Sequence, residues 1–229
     1  MKNNPRIGRV NPLSYWLGRL WMAVSGWRAQ GPPPDYPKYV AAFAPHSSNW
    51  DAPIGIAMSF ILRIRGNFLV KDSVFSWPVV GRLLGMLGGI GVDRRNRHNY
   101  VDQAAQAFHD NDRLILALAP EATRTRTDFW KSGFYYIALK AQVPIVFAYF
   151  DYKRKTCGHT GVTFFPTGDI EADLERIRAI YANITACHPE WVGPVRFKER
   201  APACPRKPPC DPPSTPGTKQ SFEDKCVPK

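Results

Sequence analysis

Tyr39-Val40-Ala41-Ala42-Phe43-Ala44-Pro45-His46-Ser47-Ser48-Asn49-Trp50-Asp51 passes in one step from an unbroken apolar run to small polar side chains. The run 39–44 is short and stops at a proline, which reads as a buried strand. Ser47, Ser48 and Asn49 are all good helix N-caps, so a turn or helix start is expected directly after it. Function is often carried on the loop at the end of such a strand. Here that loop holds an imidazole, His46, and a carboxylate, Asp51. A carboxylate that holds one ring nitrogen fixes the tautomer and leaves the other nitrogen to take a proton. Five residues of α-helix turn through about 500°, so the two would not share a face of one helix. The turn itself must bring them together. Alone, the pair is equally consistent with His46 capping a helix and Asp51 serving as a solvated first-turn acid.

Outward from this stretch, short apolar runs alternate with helical patterns to about residue 195. Strands are expected over 39–44, 68–71, 90–93, 114–119, 144–150 and 161–165. Helices are expected over 52–63, 78–87, 100–110, 133–140 and 170–187. The alternation predicts an α/β fold, a single domain with a mostly parallel central sheet flanked by helices. A chain of 229 residues with 44% hydrophobic side chains can bury one such core.

The ends differ from the middle. Residues 1–30 contain Lys2, Arg6, Arg9, Arg19 and Arg28 and no acid, with Leu13, Trp16, Leu17, Leu20, Trp21, Val24 and Trp27 at helical spacing. That pattern predicts an N-terminal amphipathic helix suited to a membrane interface, packing on the protein's own core being the alternative. A Pro-rich linker is expected over 30–36. Prolines crowd 199–229, which is expected to be a disordered tail. The net charge of +12 selects anionic partners: phosphorylated metabolites, acidic lipid or nucleic acid. No apolar stretch reaches the roughly 18 residues of a membrane span, and no secretory signal pattern is present. Cys157, Cys187, Cys204, Cys210 and Cys226 are odd in number and lack zinc-ligand spacing, so free thiols in a reducing compartment are expected.

Four blocks occur in order: His46…Asp51; Lys71 followed by Gly88-Gly89-Ile90-Gly91-Val92-Asp93-Arg94-Arg95; Leu118-Ala119-Pro120-Glu121-Ala122-Thr123-Arg124; and Val143-Pro144-Ile145-Val146. Each is common alone. As an ordered set over roughly residues 35–150 they resemble the glycerolipid acyltransferase family, of the lysophosphatidic acid (1-acyl-sn-glycerol-3-phosphate) acyltransferase type. Trp130-Lys131-Ser132-Gly133 is similar to the basic segment that follows the third block in that family. Composition and resemblance together divide the chain into an expected membrane-associating segment (1–30), an acyltransferase domain (31–198) and the tail (199–229).

The resemblance implies transfer of a fatty acyl group from acyl-CoA or acyl-carrier protein to the free hydroxyl of lysophosphatidic acid or a related lysolipid, in phospholipid biosynthesis. His46 and Asp51 are then the catalytic pair, since an alcohol needs a base to become a nucleophile. Lys71, Arg94, Glu121, Thr123 and Arg124 are the expected substrate-binding residues, with Arg94 and Arg124 matching the family's basic positions and Arg suited to phosphate. Glu121 would orient Arg124 or bind an acceptor hydroxyl. No cofactor or metal is expected beyond the acyl thioester itself. Partners are the thioester donor, the lysophospholipid and an anionic bilayer surface, with no nucleic acid, and the location is peripheral on a membrane, facing the cytoplasm. Two features depart from the family: Ala122 replaces its Gly, and Ala119 its usual aromatic. If that Gly has positive φ, Ala costs about 1 kcal/mol or shifts the loop. These departures leave open a non-phosphorylated or aminolipid acceptor. The net charge alone would also suit a non-catalytic acidic-lipid-binding protein. Cys157 with His159 is a remote alternative nucleophile pair, in a run, 153–160, that reads as a hairpin or loop.

Overall fold

The apolar run forms β2 (Lys38–Phe43) at the middle of a seven-stranded sheet. The computed structural model describes residues 11–32, 34–64, 66–86, 88–92 and 97–198, with only the backbone of 69–72, 92 and 97–99. In chain order its elements are α1 (Pro12–Ser25), β1 (Arg28–Gln30), β2, α2 (Asp51–Ile61), β3 (Asn67–Lys71), α3 (Pro78–Met86), β4 (Gly89–Val92), α4 (Arg97–Asp110), β5 (Leu114–Leu118), α5 (Gly133–Ala141), β6 (Ile145–Asp151), β7 (Thr156–Phe164) and α6 (Ile170–Tyr181). The sheet order is β1-β7-β6-β2-β5-β3-β4. Every neighbouring pair is parallel except the β6–β7 hairpin. The α/β reading with a mostly parallel sheet is therefore correct.

Both faces of β2 are buried, as an uninterrupted apolar run requires. Val40 and Ala42 face a large cluster with Phe108 of α4, Phe134 and Ile137 of α5, and Ile177 and Tyr181 of α6. On the other face a smaller cluster joins Met22 of α1 and Ile54, Ala57 and Met58 of α2 to Phe150 and Cys157. The Tyr181 hydroxyl donates to the carbonyls of Ala42 (2.8 Å) and Ala148 (3.2 Å) and so ties the end of β2 to the middle of β6.

The strands β2, β5, β3 and β4 lie side by side and parallel, so their carboxyl ends share one edge of the sheet. That edge is where open α/β sheets bind ligands. The first and third motif blocks follow β2 and β5, and of the second Lys71 ends β3 and Gly89–Val92 form β4, so topology gathers these described residues.

Three expectations fail locally. β1 was not anticipated: Arg28, Ala29 and Gln30 pair with Thr156, Cys157 and Gly158. The boundary drawn at residue 30 therefore falls at the end of a sheet strand. β7 begins at Thr156 rather than near 161, so most of the supposed loop 153–160 is strand. α6 stops at Tyr181, well short of 187. The α2 cap also differs. Trp50 is its N-cap and makes no side-chain cap bond, while Ser48 Oγ accepts from the Trp50 N–H at 3.2 Å.

α1 has two faces. Asn11 caps it by accepting from the Leu13 N–H at 3.0 Å. Gly18 and Met22 are buried, and a Cβ at Gly18 would lie 2.9 Å from the Ala57 carbonyl, so α1 and α2 pack backbone to backbone there. Leu13, Trp16, Leu17, Leu20 and Val24 face solvent. Among the described residues, no helix is long and apolar enough to cross a membrane.

Candidate active site

After β2 the chain runs without regular secondary structure through 44–48, with a cis Ala44–Pro45 peptide, then turns at 49–50 into α2. His46 precedes the helix and Asp51 is its first residue. The turn thus brings together two side chains that a continuous helix would have separated. His46 Nδ1 lies 2.9 Å from Asp51 Oδ2, an ion-pair separation without the alignment of a full hydrogen bond. Such contacts tighten in the complex with substrate. The Asp51 side chain is 1% exposed and the His46 ring 16%. A helix N-terminus also favours the carboxylate's charge.

Asp51 is held from several directions. The Ser48 N–H donates to Oδ2 at 3.1 Å. The Tyr152 hydroxyl donates to Oδ1 at 2.5 Å. Burial, followed by this bond to a carboxylate, pushes the Tyr152 phenol well above its ordinary range, so it stays protonated and remains a donor. The loop is tied down further where the His188 N–H donates to Ser47 Oγ at 3.0 Å.

Glu121 does not meet Arg124. It is buried, and its Oε2 accepts from the His46 backbone N–H at 2.8 Å. The third block therefore braces the first from beneath. Desolvation raises the Glu121 carboxyl above its usual range; the His46 N–H bond and the His46 charge act against that, and Asp51 adds to it. Its Oε1 has no hydrogen-bond partner among the described residues, and neither has Trp130 Nε1. Both residues line a cavity of about 140 Å³ beside Ala44, Pro45 and Tyr181.

Beyond Glu121 the loop is open. Ala122 has φ 55°, so it keeps a left-handed conformation despite its Cβ. Thr123 and Thr125 hydroxyls lie 3.0 Å apart, and the Thr125 N–H donates to Thr123 Oγ1 at 3.3 Å. Arg124 is exposed. The Lys131 N–H donates to the Pro120 carbonyl at 2.7 Å, which folds the basic segment back on the third block. Lys71 ends β3, level with Val92 of β4; its side chain and the whole of Arg94 lie outside the described residues. So the structure brings together His46, Asp51 and Glu121, and places Thr123 and Arg124 on the adjoining loop.

Sequence reasoning missed Tyr152. It lies 101 residues from Asp51, at the start of the β6–β7 turn, and no local pattern marks it. Cys157 and His159 are both buried in β7. Burial pushes the Cys157 thiol up to about 12, so it stays protonated and is not poised as a nucleophile.

The structure is thus a mostly parallel α/β sheet whose carboxyl edge presents a partly exposed imidazole beside a buried carboxylate. Residues 38–150 match the family model described as Acyltransferase. That match coincides with the stretch over which the ordered motifs resemble the family. The chain is similar to the 1-acyl-sn-glycerol-3-phosphate acyltransferase of Haemophilus influenzae, at 29% identity over 154 residues, covering 63% of this chain and 61% of that protein. It therefore spans about three fifths of that relative's length. Its fold is similar to the crystal structure of the 1-acyl-sn-glycerophosphate (LPA) acyltransferase PlsC from Thermotoga maritima, with a TM-score of 0.51 and 17% identity, covering 74% of this chain and 78% of the other.

Proposed function

We propose that the protein transfers a fatty acyl group from acyl-CoA or acyl-carrier protein to the free hydroxyl of lysophosphatidic acid or a related lysolipid. The observation that carries this reading is the His46 imidazole, held on Nδ1 by buried Asp51 at the carboxyl edge of the sheet. Nε2 takes the acceptor's hydroxyl proton as the oxygen attacks the thioester carbonyl. The C–O bond forms, the tetrahedral intermediate collapses, and the C–S bond breaks. The imidazolium returns the proton to the departing sulfur. Asp51 stabilises the imidazolium and keeps its orientation throughout. No acyl-enzyme is formed. In this reading exposed Arg124, on the loop after β5, holds the acceptor's phosphate. The departure at Ala122 weighs less against a phosphorylated acceptor than its chemistry suggests, because the residue keeps the left-handed turn.

The test is thiol release from palmitoyl-CoA with oleoyl-lysophosphatidic acid, beside His46→Ala. Release that requires the acceptor and disappears in the variant supports the reading. Acceptor-independent release that survives His46→Ala refutes it.

The second part of the proposal is that α1 lies on the cytoplasmic face of an anionic bilayer. Five large apolar side chains of α1 face solvent, each leaving roughly 1.5–3 kcal/mol of burial unrealised, and the acceptor is itself a lipid. Removing residues 1–28 would cut into β1, so the clean test keeps the backbone. Trp16→Ser with Leu20→Ser should abolish binding to anionic vesicles while leaving the fold intact. Unchanged binding would refute the anchor.

A further inference from the structure

Asp51 has two carboxylate oxygens and the structure gives them different partners. Oδ2 faces His46 Nδ1 and the Ser48 N–H, both from its own loop. Oδ1 is held by the Tyr152 hydroxyl, from the far side of β6. Without that bond, the Ser48 N–H alone is left to oppose rotation of the carboxylate about its Cβ–Cγ axis, and the approach of Oδ2 to Nδ1 is loosened.

Tyr152 is itself held on three sides. Its backbone N–H donates to the Thr185 carbonyl at 2.9 Å. The turn it begins is pinned by buried Asp151, which accepts from the Arg154 N–H at 3.1 Å and from its guanidinium at 2.7 Å. Its ring meets Trp27 edge to face, with centroids 4.9 Å apart at 86°. Trp27 is buried directly after α1, and its own N–H donates to the Met22 carbonyl at 3.0 Å. An unbroken series of contacts thus runs from the end of α1 through Trp27 and Tyr152 to Asp51 and His46.

We propose that Tyr152 is a positioning residue of the reaction: its hydroxyl fixes the Asp51 carboxylate and so selects the His46 tautomer with hydrogen on Nδ1 and Nε2 bare, while Trp27 holds the Tyr152 ring in place. This rests on the acyl-transfer reading for its kinetic consequence but not for its geometry. A tyrosine that only filled space would be replaced by phenylalanine without effect on tautomer or turnover.

The experiment uses the full chain as wild type, Tyr152→Phe and Trp27→Leu. Tyr152→Phe removes one oxygen and keeps the ring against Trp27. Its kcat should fall about 10- to 100-fold, the loss expected for one hydrogen bond to a charged group, with KM for acyl-CoA and lysophosphatidic acid unchanged. Trp27→Leu should lower kcat in the same sense by about 2- to 10-fold. Nitrogen-15 spectra of the neutral imidazoles supply a readout that needs no substrate. His46 should show one Nδ1–H tautomer in the wild type and a mixture in Tyr152→Phe. A single unchanged tautomer in Tyr152→Phe, or wild-type kcat in that variant, overturns the proposal. If the wild type turns over none of these substrates, the acyl-transfer reading fails instead, and the tautomer comparison decides the role of Tyr152 on its own.

Discussion

The loop after β2 and the loop after β5 leave neighbouring parallel strands at the same edge of the sheet, yet they are built in opposite ways. In the first, the polar groups around His46 and Asp51 are committed, to Glu121, to Ser48, to Tyr152 and through Ser47 to His188. In the second, Glu121 is buried, but Ala122 sits in a left-handed turn, the two threonines bond mainly to each other, and Arg124 points to solvent. The contrast separates two jobs. A base must be preorganised, because its reorganisation would be charged to every turnover. A residue that grips a ligand gains its partners when the ligand arrives.

The largest expected effect breaks the rigid side of the comparison. Asp51→Asn keeps the shape and removes the charge that orients the imidazole, and kcat should fall about 10²- to 10⁴-fold with the acceptor KM little changed. A variant that lost acceptor affinity and kept kcat would reverse the assignment of the two loops. Next, Arg124→Ala should raise the KM for a phosphorylated acceptor about 10- to 100-fold, with a smaller change in kcat, as expected for one charge-assisted phosphate contact. An equal loss with an acceptor lacking the phosphate would show that Arg124 does not read it.

Glu121 sharpens the boundary between the loops, since it belongs to one and braces the other. Its folded carboxyl sits above the ordinary 4.5, chiefly through burial, so folding favours proton binding there relative to the unfolded chain. That contribution is fully present below the unfolded value and is lost as pH rises through the raised folded value. Glu121→Gln keeps an acceptor for the His46 N–H and has no such titration. The stability of the wild type relative to Glu121→Gln should therefore decline as pH rises from below 4.5 toward neutrality, read from thermal melts across that range. A flat difference would mean that Glu121 is not desolvated. The smallest effect is expected at Ala122. Glycine there relieves a left-handed alanine but adds unfolded-state freedom, for a net gain of about 0.5–1 kcal/mol in chemical denaturation. A destabilised Ala122→Gly would show that its Cβ makes contacts that outweigh the strain.

Much of this was legible in the residues, and the rest was hidden for definable reasons. β2, β5 and β6 announce themselves because central parallel strands are buried on both faces and read as continuous apolar runs. β1 does not, because Arg28-Ala29-Gln30 is a short edge strand with one covered side chain. The start of β7 looks like a loop because Thr156, Gly158 and His159 are polar or small. Gly158 is small because β1 lies against it, and a Cβ there would come within 1.9 Å of the Gln30 carbonyl. At the site, His46 and Asp51 were readable because their spacing is local. Glu121 was readable as a site residue but not in its role, since its partner is a backbone N–H on another loop. Tyr152 depends wholly on the fold.

The pairing of β1 with β7 has a consequence for how the chain is made. Synthesis runs from the N-terminus, so residues 28–30 leave the ribosome first among the strands, while their partners at 156–158 emerge last. Throughout the production of β2 to β6, β1 has no edge to join and Trp27 has no Tyr152 to meet. Among the seven described strands, the first to be translated is the one that cannot be seated until all the others exist, and a nascent chain lacks the full support of Asp51 until then.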